Sequence, residues 1–324
     1  NQATDMVTSI VAGTPFNTLT NPFPSGILQP FGNSQGLATY LGRGFNFATP
    51  DRTVPYTHQI SIEVQRELPG RFQLTVGYVQ SRINGLSVTK PYNEISAQDL
   101  ERGRQNPSYL TASVANPFAG LLPGTGLNGA TVQRQQLLRP FPQFLGINET
   151  NRSEGKSRYD ALQVMVNKRL AAGLSASVAY TFSKTIEQVS YRNAQDTELE
   201  KVVAPFHVPH SVQINGVYEL PFGRGKKLAN NTHSLVNYLI SGWEISGIAR
   251  MQSGMPMPLS ANTMPTGADP RLTEGQDLDR WFNTAAFVAR PQFTLQTWSS
   301  RLSSVHNPAI RNLDASLIKR NKIT

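Results

Sequence analysis

The chain has 324 residues, 39% of them hydrophobic, with 25 glycines, 22 prolines and no cysteine, so disulfide frameworks, thiolate metal sites and cysteine nucleophiles are excluded. No run approaches the roughly 18 apolar residues of a transmembrane helix, and no long amphipathic helical pattern is present. The formal net charge of +9 is dispersed over the chain, with tight clusters only at Arg224-Gly225-Lys226-Lys227 and Lys319-Arg320-Asn321-Lys322; neither interleaves the aromatics of a nucleic-acid platform, so no nucleic-acid partner is expected.

Residues 1–56 form a Pro-, Gly-, Asn- and Ser-rich lead-in. Strand 57–68 then alternates Ile60, Ile62 and Val64 with Gln59, Ser61, Glu63 and Gln65. After a turn at Pro69 and Gly70, strand 71–83 sets Phe72, Leu74, Val76 and Tyr78 against Gln73, Thr75 and Gly77. Strand 158–170 carries Leu162, Val164 and Val166 on one face, with Gln163 and Asn167 opposite; after Gly173, strand 174–184 carries Leu174, Ala176, Val178, Tyr180 and Phe182. Strand 210–221 sets Val212, Ile214, Tyr218 and Leu220 against Ser211, Gln213, Asn215 and Glu219. Strand 237–252 sets Leu239, Trp243, Ile245 and Ala249 against Glu244, Ser246 and Arg250. The last, 309–320, is shorter and carries Leu313, Ala315 and Leu317.

Alternation with period two, over about 9–11 residues, gives strands with one apolar and one polar side, long enough to cross a bilayer when tilted. The connections alternate too: short at residues 69–70, 171–173 and 222–236, long at 84–157, 185–209 and 253–308. Short turns at one end and long loops at the other are the pattern of outer-membrane barrels, with the loops extracellular. The fold class expected is all-β, a segment of a large antiparallel transmembrane β-barrel. Closed single-chain bacterial barrels have even strand numbers; seven strands and the lack of a leader before Asn1 predict a piece of a larger barrel. The phrase at 21–28 echoes Asn116-Pro117-Phe118-Ala119-Gly120-Leu121-Leu122, which predicts that the loops pack on one another.

The phrases NPFPSGILQP (21–30), PYTHQISIEVQRELPG (55–70), YDALQVMVNKRL (159–170), ASVAYTFSKTI (176–186), VPHSVQINGVYELPFGRGKK (208–227), GWEISGIARMQSGMP (242–256), WFNTAAF (281–287) and RNLDASLIKRNKI (311–323) follow one another in a specific order. With them the chain resembles the barrel half of Oar-like TonB-dependent outer-membrane receptors, the group with a carboxypeptidase-regulatory-like domain. The resemblance implies a 22-stranded barrel in the outer membrane of a Gram-negative bacterium, a plug in its lumen and coupling to TonB. The plug, the TonB-contacting box and the regulatory domain are absent from this chain.

Motifs for bond chemistry are weak, and no enzyme activity and no cofactor are expected. Gly124-Thr125-Gly126-Leu127-Asn128-Gly129 fits a dinucleotide fingerprint, but no strand precedes it and no helix follows. His207 and His210 flank Pro209, which prevents the helix that would align them on a metal. Asp196, Glu198 and Glu200 lack the spacing of a calcium loop. Ligand capture falls instead to loop aromatics and arginines, which suit flat or anionic solutes: Tyr109, Arg134, Arg139 and Phe141 in one loop, Trp281, Arg290 and Trp298 in another. The alternative is that these side chains only pack the loops together. The function expected is TonB-dependent-type transport or reception of a bulky solute; the runner-up is a non-transporting surface barrel, an adhesin or structural envelope protein. The partners expected are outer-membrane lipid, the rest of the barrel and its plug, and TonB by resemblance.

Overall fold

A computed structural model describes residues 10–11, 13–24, 26, 32, 35–277 and 279–320. Seven strands form one antiparallel meander, each hydrogen-bonded to the next in chain order: β1 (Tyr56–Leu68), β2 (Phe72–Pro91), β3 (Ile147–Ala171), β4 (Leu174–Gln188), β5 (His210–Glu219), β6 (Trp243–Gln252) and β7 (Ile310–Lys319). β1 and β7 lie at opposite edges and do not pair with each other among the described residues, so the sheet is an open segment of wall.

The register turns the alternation of each strand into two continuous faces. One row runs Val64, Val76, Val164, Tyr180, Val212, Met251; the next runs Leu74, Val166, Val178, Ile214, Ala249, Leu313. Between them on the opposite face run Gln65, Thr75, Met165, Ala179, Gln213, Arg250 and Asn312. Gln59, Glu63, Gln163, Asn167, Asn215 and Glu244 share this polar face. Ile62 and Val64 are 64% and 67% exposed, whereas Thr75 and Glu244 are 6% and 7% exposed. Large apolar side chains therefore lie bare on one face, as lipid contact requires, while the polar face is covered at Thr75 and Glu244 and open at Gln59, Glu63, Gln65, Gln163, Gln213 and Asn215.

The hairpin turns explain the tight end. Between β3 and β4, Ala172 and Gly173 have φ of 52° and 80°. Positive φ at both central residues is the turn whose twist matches that of the flanking strands. Between β5 and β6 the connection is longer and ends in a short helix, Ser234–Ile240. The expected strand from residue 237 is thus corrected: Leu235, Val236, Leu239 and Ile240 follow the helical period, and the strand begins at Trp243. Trp243 Nε1 donates to the Leu239 carbonyl at 2.8 Å, which fixes the corner.

At the other end the expected bounds 83 and 158 are also corrected. β2 runs on to Pro91 and β3 starts at Ile147, because the two strands continue to pair beyond the apolar belt. Register shifts between Asn84 and Lys90 break the period, and residues 148–157 carry no apolar face, so alternation carries no signal there. A strap from the lead-in joins this extension. Phe45–Ala48 pairs in parallel with the start of β3, and the Thr53 backbone exchanges hydrogen bonds with Ser153 Oγ at 2.9 and 3.0 Å before the chain enters β1. Of the echoed phrase, residues 25, 27 and 28 lie outside the described residues, as do Asn321 and Lys322 of the second basic cluster.

Candidate functional site

The long loops fold into a cap over the loop end of the polar face. On β4, Ser183, Thr185 and Glu187 share that face and are buried. Ser183 Oγ donates to the Val208 carbonyl at 2.7 Å, and Thr185 N–H donates to His207 Nδ1 at 3.3 Å. Glu187 accepts from Arg301 at 2.8 Å, and Arg301 also donates to the Val203 carbonyl at 3.0 Å. Three segments distant in sequence therefore meet where the polar face would open.

The cap is held chiefly by buried polar side chains bonded to backbone. Asn93 is fully buried; its amide reaches the carbonyls of Phe141, Phe144 and Leu145 at 2.9, 3.0 and 2.8 Å, and its Oδ1 accepts from Phe141 N–H at 2.9 Å. An amide has two N–H donors, so these three carbonyls share them. Asn193 exchanges bonds with the Gln296 backbone at 2.9 and 2.8 Å, and buried Glu200 accepts from Ser300 N–H at 2.9 Å. Gln195 donates to the Ile95 carbonyl at 2.7 Å. α1 (Ala97–Gln105) adds an apolar contact: a Cβ at Gly103 would lie 3.2 Å from Phe293 of the last loop.

An ionic chain closes the side nearest the strap. Tyr92 hydroxyl donates to Glu149 at 2.6 Å, Arg152 bridges Glu149 and Glu154 at 2.6 and 3.0 Å, Tyr191 donates to Glu154, and Lys90 lies over the Tyr191 ring at 3.9 Å. β3 meets the apolar belt at Leu162, so Arg152 and Glu149 stand outside it, at most about 33 and about 43 Å along the strand at ~3.3 Å per residue. The Tyr92 hydroxyl, with Thr49 and Arg152, holds the Glu149 carboxyl down at about 2. Burial, then the bond to Glu154, pushes the Tyr191 phenol up to about 12.

The candidate ligand residues fall into separate groups. Arg134 lies over the Tyr109 ring at 5.4 Å and donates to the Tyr109 carbonyl at 3.3 Å. Arg139 donates to the carbonyls of Asn93 and Leu145, the latter at 3.0 Å, while the Phe141 ring is 48% exposed. Arg290 lies over Trp298 at 5.9 Å and donates to the Ala261 carbonyl at 3.0 Å; Trp281 Nε1 donates to the His306 carbonyl at 2.6 Å. The structure joins them as pairs inside the cap and does not converge them on one cavity. A cavity of about 400 Å³ between Tyr40, Arg43, Leu122 and Thr125 contains none of them; it lies where the lead-in packs on the 116–129 loop.

The other motifs are placed as follows. His207 is buried in the cap, and burial, then His306 and Lys184, pushes its imidazole down; His210 stacks near Tyr180 and Phe182 at 6.2 and 5.2 Å. Asp196 accepts from Asn193 N–H at 2.9 Å. No group of three or more metal-ligating side chains occurs among the described residues. Asn93, Asn193, Gln296, Glu200 and Arg301 organise the cap; sequence reading passes over the three amides, meets Glu200 only in the acidic cluster and Arg301 only as a loop arginine. Their partners are backbone groups or side chains tens of residues away, which no spacing announces.

A family model described as an outer membrane beta barrel domain matches residues 1–324. No curated protein matches the chain significantly. Among solved structures, the outer membrane transporter YddB from Escherichia coli aligns with 86% of this chain and 28% of its own, at 9% identity and a TM-score of 0.40. The FpvAI–pyocin S2 complex aligns over 64% of this chain and 18% of that one, at 12% identity and a TM-score of 0.31. The chain spans less than a third of the length of either.

Proposed function

The chain belongs to the outer membrane β-barrel domain family, and on that premise we propose that it supplies wall and loop cap to a TonB-dependent-type receptor that passes a bulky solute. The observation that carries this reading is the seating of the loops on the polar face: Ser183, Thr185 and Glu187 lie beneath residues of two different loops. A cap over a polar wall suits a lumen opened only for a captured solute. A plain porin needs its mouth clear. In this reading the long loops face the exterior, the cap captures the solute, polar side chains line its path, and a plug elsewhere in the receptor gates passage through TonB. The protein performs no bond chemistry, and loop aromatics such as Phe141 supply the contact surface.

A specific observation favours the second reading, a fixed surface barrel that adheres or braces the envelope. Arg134 is engaged with Tyr109 and Arg290 with Trp298, each pair within its own loop, which suits loops that never open. One experiment separates the two. Cells carrying the intact full-length receptor, the receptor without residues 100–140, or no TonB are given a panel of fluorescent oligosaccharides and peptides too large for porins. Transport predicts that uptake of at least one panel member requires both the loop and TonB, with barrel assembly unchanged. Uptake independent of both would leave the surface-barrel reading standing.

A further inference from the structure

We propose that the apolar side of β2, β3 and β4, just beyond the loop-end edge of the belt, binds the phosphate groups of an anionic outer-leaflet glycolipid. The proposal rests on the reading above that the loop end faces the exterior. A cavity of about 520 Å³ lies there, and five basic residues line it: Arg82, Lys156, Arg158, Lys184 and Lys201. Its two acids, Asp160 and Glu187, are already engaged, with Arg158 at 2.6 Å and with Arg301 at 2.8 Å. Arg82, Lys156, Lys184 and Lys201 make no ion pair among the described residues and are exposed.

The register fixes which face these cations occupy. Arg82 pairs with Arg158, and Arg158 with Ile186; the next row toward the turns holds Gln80, Asp160 and Lys184. The row after that is Tyr78, Leu162 and Phe182, the edge of the apolar belt. Cationic and apolar rows therefore share one face and are contiguous, about 7 Å apart per two residues. Tyr78 marks the boundary: its ring belongs to the belt and its hydroxyl donates to Asp160 at 2.7 Å.

Unneutralised cations beside hydrocarbon demand counter-charge, and phosphate oxygens accept from both guanidinium and ammonium groups. A glycolipid satisfies both parts at once, with acyl chains along the belt and phosphates at the cations. A free anion would use only the upper part.

The test uses the full-length receptor in detergent with bis-phosphorylated lipid A as probe. It is compared with dephosphorylated lipid A and with inorganic phosphate as competitor. The site variant carries Arg82→Gln, Lys156→Gln, Lys184→Gln and Lys201→Gln; a control removes charge at the turn end through Arg224→Gln, Lys226→Gln and Lys227→Gln. Each cation at an anionic surface contributes on the order of fivefold, so the site variant, which removes four, should bind roughly several hundredfold more weakly, while the control retains binding. Dephosphorylated lipid A should bind the wild type no better than the phosphorylated probe binds the site variant. Equal binding by wild type and site variant overturns the proposal, and so does full displacement by inorganic phosphate, which would mark a free-anion site. Heat-modifiable gel mobility checks that each barrel is folded; if the fourfold variant is not, Arg82→Gln with Lys184→Gln should still lose more than about tenfold. Uptake on the same variants separates the two ideas, because lost TonB dependence would sink the transport reading without touching lipid binding.

Discussion

In the wall, Val76 sits between Val64 and Val164 on a ladder of backbone hydrogen bonds, and its side chain need only be apolar. In the cap, Asn93 is surrounded by carbonyls of Phe141, Phe144 and Leu145, and its side chain is itself the bond. The wall satisfies its backbone through pairing of long strands and leaves side chains to choose lipid or lumen. The cap has little regular pairing, so buried amides, carboxylates and guanidiniums take over that duty. A substitution in the wall should therefore be judged by face, and one in the cap by the backbone groups it orphans.

The most severe way to strain this contrast is to ask the wall to stand alone. Expressed by itself and refolded into micelles, the chain should give no monomeric, heat-modifiable, protease-resistant species, because both edge strands keep open ladders. A species with those three properties would show that the ladder can close without further strands.

The next test compares the faces. Val164→Arg in the intact receptor should cost roughly 2–4 kcal/mol in bilayer refolding titrations, whereas Gln163→Arg, its neighbour on the other face, should cost less than about 1 kcal/mol. Equal costs would mean that the two faces see the same surroundings. In the cap, Asn93→Ala should cost about 1–3 kcal/mol by removing a fully buried amide and leaving Phe141 N–H without its acceptor. The loss should be local, seen as proteolytic nicking in residues 92–146 with heat-modifiable mobility retained. Global unfolding would mean that wall and cap are one cooperative unit.

The gentlest test is pH. Glu149 is held at about 2 in the folded protein against an ordinary value of 4.5. A depressed carboxyl stabilises fully above its unfolded value, and the benefit is lost as pH falls through the folded one. Cap protection from an acid-active protease should therefore be constant above about pH 5 and decline below 4.5 toward 2, with Glu149→Gln flattening the decline. An unchanged profile in the variant would assign the acid sensitivity to another group.

The same contrast explains what could be read in advance. Ile60, Ile62 and Val64, or Val178, Tyr180 and Phe182, disclose a strand because one face is apolar for its whole length. Where both faces are wet, as at Asn148 to Lys156, the strand persists but the pattern does not, and the reading stopped at residue 158. From residue 237 the end of the helix at Ser234–Ile240 reads as strand, because its short apolar run fits either period. The candidate residues Tyr109, Arg134, Arg139, Phe141, Trp281, Arg290 and Trp298 were chosen by side-chain chemistry, and composition says which groups can stack but not which are already stacked. Asn93 or Gln296 gives no sign at all, since a buried amide looks in sequence like any loop amide.

The strap has a consequence for the order of events during folding. β1 and β2 are joined by Pro69, Gly70 and Arg71, so their hairpin can zip as soon as it is made. The bond between Thr53 and Ser153 spans 100 residues and waits until β3 has been laid down. Until then Phe45–Ala48 has no strand to pair with. The last move of this corner is thus a fastening: a segment made before the hairpin is secured after it, and its closure records that the third strand has arrived in register.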